Sequence, residues 1–255
     1  MEAEHESELV QVIEGVSLGE TSAGAARRID TLARTDHSAL LEYCLKSYDS
    51  RYRDYTCTLQ KQELIRGALG KPQTIDVSFM NTPFSVAMKW TENAPIGDRV
   101  LYIEGKYGNQ MLVRPKGLLG KIVGTVKRKP DGPEAMRNTL RPVSMFGFRR
   151  GMENLLKVYR QAQKAGDLKE EFGGYAKVGG RDAVCLIRYL PPAKDYPAYI
   201  TKVYIDTEYL VPICIEAYDW DEQPQARYVY KDVKFNIGLA DEDFTPQANE
   251  IQVPS

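Results

Sequence analysis

The chain has 255 residues, 43% of them hydrophobic, with 34 basic and 35 acidic side chains and a formal charge of −1. That supply of apolar residues suits a sizeable core, and the balanced charge excludes nucleic acid as the main partner, which needs a basic excess. No run of about eighteen apolar residues occurs, so no apolar helix long enough to span a membrane is expected. The acidic start, MEAEHESELV, lacks the basic and apolar regions of a signal peptide. Export stays open to a mature chain that begins after a removed signal.

Residues 1–22 are acidic and weakly patterned and read as a loose arm, with a single domain from residue 23 to 255. Helical periodicity runs from Ala25 to Ala33 and from His37 to Arg51, where Leu40, Leu41, Cys44, Leu45 and Tyr48 form one face and Asp36 is placed to cap the start. After Asp54 the period drops to two. The segments YTCTLQKQEL, QTIDVSFM, PFSVAMKWT, RVLYIEG and NQMLVRP, separated by turn residues at intervals of about ten, predict an antiparallel meander. The polar residues of YTCTLQKQEL suggest a half-exposed edge, and KIVGTVKRK reads as a further strand or a basic loop. A helical insertion near 131–166 follows, with GPEAMRNTL as a short turn and Met152, Leu155, Leu156 and Tyr159 on one side of a longer helix that Gly166 ends. Strands resume in LKEEFGGYAKV, DAVCLIRYL, YITKVYID, VPICIEAYDW and RYVYKDVKFN. The tail GLADEDFTPQANEIQ has Phe244 as its anchor. About ten strands with helices in two blocks predict an α+β fold: a strongly curved antiparallel sheet forming an unclosed, half-open β-barrel, covered or plugged by helices.

Catalytic chemistry finds little to work with. The loops ALGKPQT and GLLGKIVGT miss the phosphate-loop pattern and read as hairpin turns. Two histidines, His5 in the arm and His37 at a helix start, are a thin supply of bases, and no G-x-S-x-G elbow is present. Cys44, Cys57, Cys185 and Cys214 lack C-x-x-C spacing, so no metal or other cofactor is expected. A meander sets the strands of Cys185 and Cys214 two apart, about 9–10 Å, beyond disulfide reach; Cys44 with Cys57 is the pairing left open. The acids Asp219, Asp221 and Glu222, and likewise Asp206 and Glu208, read as solvated hairpin turns. Arg149 and Arg150 stand at the positive end of a helix and call for a nearby carboxylate or anion. Arg114, Lys116, Lys121, Lys127, Arg128 and Lys129 give segment 114–129 a local basic excess, suited to a membrane surface or an acidic protein partner, or to keeping a sheet edge soluble.

The stretch TKVYIDTEYLVPICIEAYDW is apolar at both parities, unlike a strand with water on one side. With the following RYVYKDVKFNIGLADEDFTPQ it resembles the LolA-like carriers of bacterial lipoproteins, through its Ile-Asp turn, Leu-Val-Pro strand start, Lys-Phe-Asn ending and Asp-x-Asp-Phe-x-Pro tail. Upstream, YTCTLQKQE, TPFSVAMKW and RVLYIEGKYGNQMLVRP resemble an uncharacterised bacterial family allied to that superfamily. The resemblance spans residues 38 to 250 and implies an apolar interior able to receive acyl chains, in an exported protein of the periplasm or cell envelope.

The expectation is therefore a non-enzymatic binding protein that shelters a lipid or lipoprotein acyl chain between sheet and helices. A chain of fifteen carbons would gain on the order of 10 kcal/mol from burial, before ordering costs, with no catalytic group involved. The candidate cavity residues are Phe79, Phe84, Met88, Trp90, Leu101, Ile103, Met111, Val203, Ile205, Ile213 and Ile215. The alternative is a structural or protein-interaction domain of the envelope whose barrel is filled by its own helices and takes no ligand.

Overall fold

The computed structural model describes residues 10–13, 23–117, 124–193 and 195–252. Helices form where the sequence has helical period and caps. Helix α1 (Ala23–Thr35) is followed by α2 (His37–Arg51), and Asp36 between them accepts the Ala39 N–H at 2.8 Å as the expected N-cap. Helix α3 (Phe148–Ala165) buries Phe148, Met152, Leu155, Leu156, Tyr159 and Ala162. Each of its large side chains is worth about 1.5–3 kcal/mol on burial. Residues 131–147, expected to begin a helical insertion, hold short 3-10 turns at Met136–Asn138 and Val143–Met145.

The strands, in chain order, are β1 (Val10–Ile13), β2 (Asp54–Ile65), β3 (Ala68–Leu69), β4 (Gln73–Met80), β5 (Ser85–Glu92), β6 (Gly97–Ile103), β7 (Met111–Pro115) and β8 (Val126–Arg128). After α3 come β9 (Lys169–Val178), β10 (Arg181–Tyr189), β11 (Ile200–Asp206), β12 (Pro212–Tyr218) and β13 (Pro224–Phe235). The α+β class and an antiparallel sheet that does not close, with β1 and β8 at its ends, agree with the expectation. The described residues hold thirteen strands where about ten were expected, the short β1, β3 and β8 making the difference.

The chain, read as one domain from residue 23, divides into two compact units. The first contains residues 1–51 and 148–229, with strand order β1-β9-β10-β11-β12-β13; the second contains residues 52–147 and 230–255, where β13 is followed by β2-β4-β5-β6-β7-β8 and β3 pairs with β2. Within residues 1–22, read as a loose arm, Val10–Ile13 pairs with β9, with Val10 opposite Val178 and Ile13 opposite Tyr175; the rest of the arm lies outside the described residues. One expectation is corrected here: strand β2, read as an edge, is flanked on both sides. Its Thr56, Thr58 and Gln60 mark a polar face, opposite Tyr55, Cys57 and Leu59, and not a polar edge.

In the first unit, Asp206 organises the β11–β12 turn. Its carboxylate is fully buried, accepts the N–H groups of Glu208 and Tyr209 at 2.9 and 2.7 Å, and pairs with Arg181. Arg181 also reaches Glu208 at 2.8 Å and stacks on Tyr209 at 3.6 Å. The neighbouring turn is closed by Asp219, which accepts the N–H groups of Asp221 and Gln223. Both acidic clusters are therefore hairpin devices. Arg149 finds its expected carboxylates in Asp49 at 2.9 Å and Glu153 at 2.5 Å.

In the second unit the C-terminal segment packs on one sheet face. Phe244 and Ile251 join Met80, Ala87, Leu101, Ile103 and Leu112 in one buried cluster. Arg114 clamps this segment, reaching Asp98 at 2.8 and 3.0 Å and Glu250 at 3.2 Å, while Arg99 meets Glu250 at 3.0 Å. Arg128 pairs with Glu134 at 2.5 Å. Two cations of the basic segment are thus engaged within the protein, and Lys121 lies outside the described residues.

Candidate functional site

Strand register decides which candidate residues share a face, because side chains alternate and opposed residues point the same way. In the second unit Tyr55 opposes Phe79, Phe79 opposes Val86, and Val86 opposes Tyr102. Two residues further along, Cys57, Val77, Met88, Val100, Val113 and Val126 form the next row, and Leu59, Ile75 and Trp90 the one after. This face holds the candidates Phe79, Met88, Trp90 and Met111. Phe84 packs onto it, edge-on to Phe79 at 5.3 Å and to Tyr102 at 5.9 Å. Leu101 and Ile103 have the other parity. They belong to the opposite face, under Phe244 and Ile251, and cannot line the same surface.

The apolar face is closed at one place by a loop. Phe146 lies 6.0 Å from Phe79 and 6.4 Å from Tyr230. At Gly147, with φ +100°, a Cβ would meet the Phe79 ring at 2.9 Å, so the loop can cross there only as glycine. In phase with Leu59 along β2 stand Lys61 and Glu63, nearly buried and 3.1 Å apart, with Thr139 accepting from Lys61 at 3.2 Å. Elsewhere the face stays partly open: Met88, Trp90, Val113 and Val126 are half-buried, whereas Phe79, Phe84, Tyr102 and Met111 are buried. Gly97 makes room for this row, since a Cβ there would lie 2.5 Å from a methyl of Val113. The indole N–H of Trp90 donates to Gln73 at 2.8 Å.

In the first unit Val203 opposes Ile215 and Leu186, and Ile205 opposes Val184. Ile213 shares the parity of Ile215 along β12, and all four candidates there are buried. Arg188 and Thr201 lie on this face too, and the guanidinium of Arg188 sits 4.8 Å from the Tyr159 ring of α3, so α3 covers it. Sequence reasoning missed this buried polar group. Its signal was available, an arginine in phase with Val184 and Leu186. Arg188 donates to Thr201 at 3.0 Å and stands directly opposite Glu170. Next to it, His37 donates from Nε2 to the Ala33 carbonyl at 2.9 Å, which leaves Nδ1 to accept from Tyr159, 3.3 Å away. Burial pulls the His37 pKa down to about 4 and pushes the Glu170 carboxyl up.

The other face of the β11–β12 hairpin explains its double greasiness. Cys185 and Cys214 lie buried on either side of Tyr204, beneath long side chains gathered on Glu216. Glu216 accepts from Arg227 at 3.1 Å, Tyr204 at 3.3 Å and Tyr218 at 3.4 Å, and Lys202 lies 5.4 Å over the Tyr218 ring. This face meets solvent through amphipathic side chains that shield the thiols. All four cysteines are free and buried, so the Cys44–Cys57 pairing left open by the sequence is not made. Desolvation pushes the Cys44 and Cys185 thiols up to about 12, and Cys57 and Cys214 higher still.

Residues 52–253 match the family model described as "Protein of unknown function (DUF1571)". The chain belongs to this family. No curated protein matches it. Among solved structures, the Pseudomonas aeruginosa MucA/MucB complex is similar over 87% of this chain at 15% identity and a TM-score of 0.49. This chain spans 64% of that one, less than two thirds. The Mycobacterium tuberculosis lipoprotein LppX is similar over 80% of this chain and 99% of its own, at 10% identity and a TM-score of 0.46. A LolA superfamily protein from Nitrosomonas europaea is similar over 82% and 98%, at 10% identity and a TM-score of 0.34. Of these three, the Nitrosomonas europaea protein carries the name of the superfamily that the sequence resembles.

Proposed function

We propose that this DUF1571 protein is a non-enzymatic binding protein of the cell envelope that shelters a lipid acyl chain on the apolar face of its second unit. The observation that carries the reading is the row Met88, Val100, Val113 and Val126, which runs across β5 to β8 beside Trp90 and is half-buried at every position but the buried Val100. Such a row is about 14 Å long across four strands and gives an alkyl chain continuous apolar contact. Phe79, Phe84 and Met111 form its packed floor. In the first unit, Val203, Ile205, Ile213 and Ile215 are buried and serve as core on the sheet face whose Arg188 meets Tyr159 of α3.

Among the described residues, the histidine and the thiols that could do covalent chemistry are occupied or suppressed. His37 is buried, neutral and hydrogen-bonded through both ring nitrogens, and the four thiols are held protonated by burial. These features favour binding over catalysis.

Mass spectrometry of the organic extract of natively purified protein tests the proposal, together with displacement of a fluorescent fatty acid. A co-purified lipid and saturable displacement are expected. Their joint absence would overturn the reading in favour of a protein-interaction domain that fills its own apolar face.

A further inference from the structure

A second site lies away from this face, between α2 and α3 of the first unit. A groove of about 710 Å³ opens there to solvent, with Leu45 and Leu156 as its apolar floor. That volume is in the range of small-molecule sites, about 300–1,000 Å³. Its charges are unevenly matched. Glu42 is taken by Arg160 at 2.7 Å, and Asp49 and Glu153 are both taken by Arg149, at 2.9 and 2.5 Å. Every carboxylate lining the groove is therefore held by an arginine, whereas Lys46 and Lys157, which also line it, make no ion pair among the described residues.

From this arrangement we propose that the α2–α3 groove binds an amphiphile with an anionic head: an alkyl phosphate or carboxylate whose head lies between Lys46 and Lys157 and whose first methylenes lie on Leu45 and Leu156. The arginine pairs do two things. They neutralise the acids that would otherwise repel the head, and they fix the two helix faces that carry the lysines. Ammonium groups over an apolar floor favour an anionic head over a neutral one, which gains no attraction from the two exposed, hydrated lysines, and over small free anions, which gain nothing from the leucines. The site is built from elements other than those of the acyl-binding face and stands or falls independently of it.

The test uses the full chain and dodecyl phosphate below its micellar concentration, titrated calorimetrically at low salt. Inorganic phosphate and dodecyl maltoside serve as the head-only and neutral-head comparisons. The Lys46→Gln/Lys157→Gln variant changes two exposed side chains, and circular dichroism checks that its fold is intact. Binding of dodecyl phosphate weakened at least about tenfold in the variant, with dodecyl maltoside unaffected, is the expected result. Equal affinity of wild type and variant for dodecyl phosphate would overturn the proposal. So would inorganic phosphate binding as tightly as dodecyl phosphate, which would make the groove a simple anion site with no role for its floor. A Phe84→Ala variant keeps the two sites apart: its dodecyl phosphate affinity for the groove is expected to match wild type, and a tenfold loss there would place the ligand on the second unit instead.

Discussion

Replacing Asp206 by alanine should destabilise the first unit by about 2–4 kcal/mol, because one buried carboxylate serves both the turn and its neighbouring strand. Two backbone donors, from Glu208 and Tyr209, lose a charged acceptor, at about 1.5–3 kcal/mol each if nothing replaces it. The turn is near the surface, and water reaching these N–H groups recovers part of that cost. Arg181 loses its buried partner but keeps Glu208 and its stack on Tyr209. With its side chain 32% exposed, its share is screened and adds about 1 kcal/mol or less. Urea unfolding followed by Trp220, which lies in the same unit, reads the change as a lower midpoint at constant slope. Arg181→Met alone should cost clearly less than Asp206→Ala, and the double variant should fall short of the sum by about 1 kcal/mol. A loss under about 0.5 kcal/mol for Asp206→Ala, or an Arg181→Met loss that equals it, would refute the assignment of the turn to backbone capture by Asp206.

His37 makes stability pH-dependent. Its folded pKa, about 4, lies below the ordinary value of 6.5, so the unfolded chain binds the proton first. The contribution is whole above pH 6.5 and is lost as pH falls toward 4, by at most about 3 kcal/mol. Glu170, raised by burial above its ordinary 4.5, acts in the opposite sense within the same window, so the difference between wild type and His37→Gln, measured by urea unfolding from pH 7 to 4, reads out the histidine. Gly147→Ala should cost about 1–3 kcal/mol in the second unit, from positive φ and the overlap with Phe79, seen as a lower urea midpoint. The four thiols should resist a thiol reagent at pH 8 in native protein and all react in denaturant, checked by absorbance titration.

Much of the fold was legible because its punctuation is chemical. Turn residues bracket QTIDVSFM at the bounds of β4, and the 3.6 period of His37 to Arg51 gives the bounds of α2. Faces were less legible than elements. β6 is buried on both sides, so Val100 and Leu101 look alike in sequence, and only pairing with β5 and β7 separates the open face from the one under the C-terminal segment. The anchoring role of Phe244 was visible as an isolated aromatic, but its receiving surface was not, because the contact joins residues far apart in the chain. Polar residues on β2 suggested an edge, since a polar face and a polar edge leave the same composition. The lysines of the α2–α3 groove carried no signal either: which of a helix's charges are already paired depends on the neighbouring helix.

The central claim is that an acyl chain lies beside Trp90 on the second unit. The direct measurement is tryptophan quenching by dibromostearic acid in the Trp220→Phe variant, where Trp90 is the only indole left. Contact with the half-open row predicts saturable quenching that unlabelled stearic acid reverses by competition. Trp90 emission that falls only linearly with the brominated acid, as for free tryptophan in solution, would contradict the account.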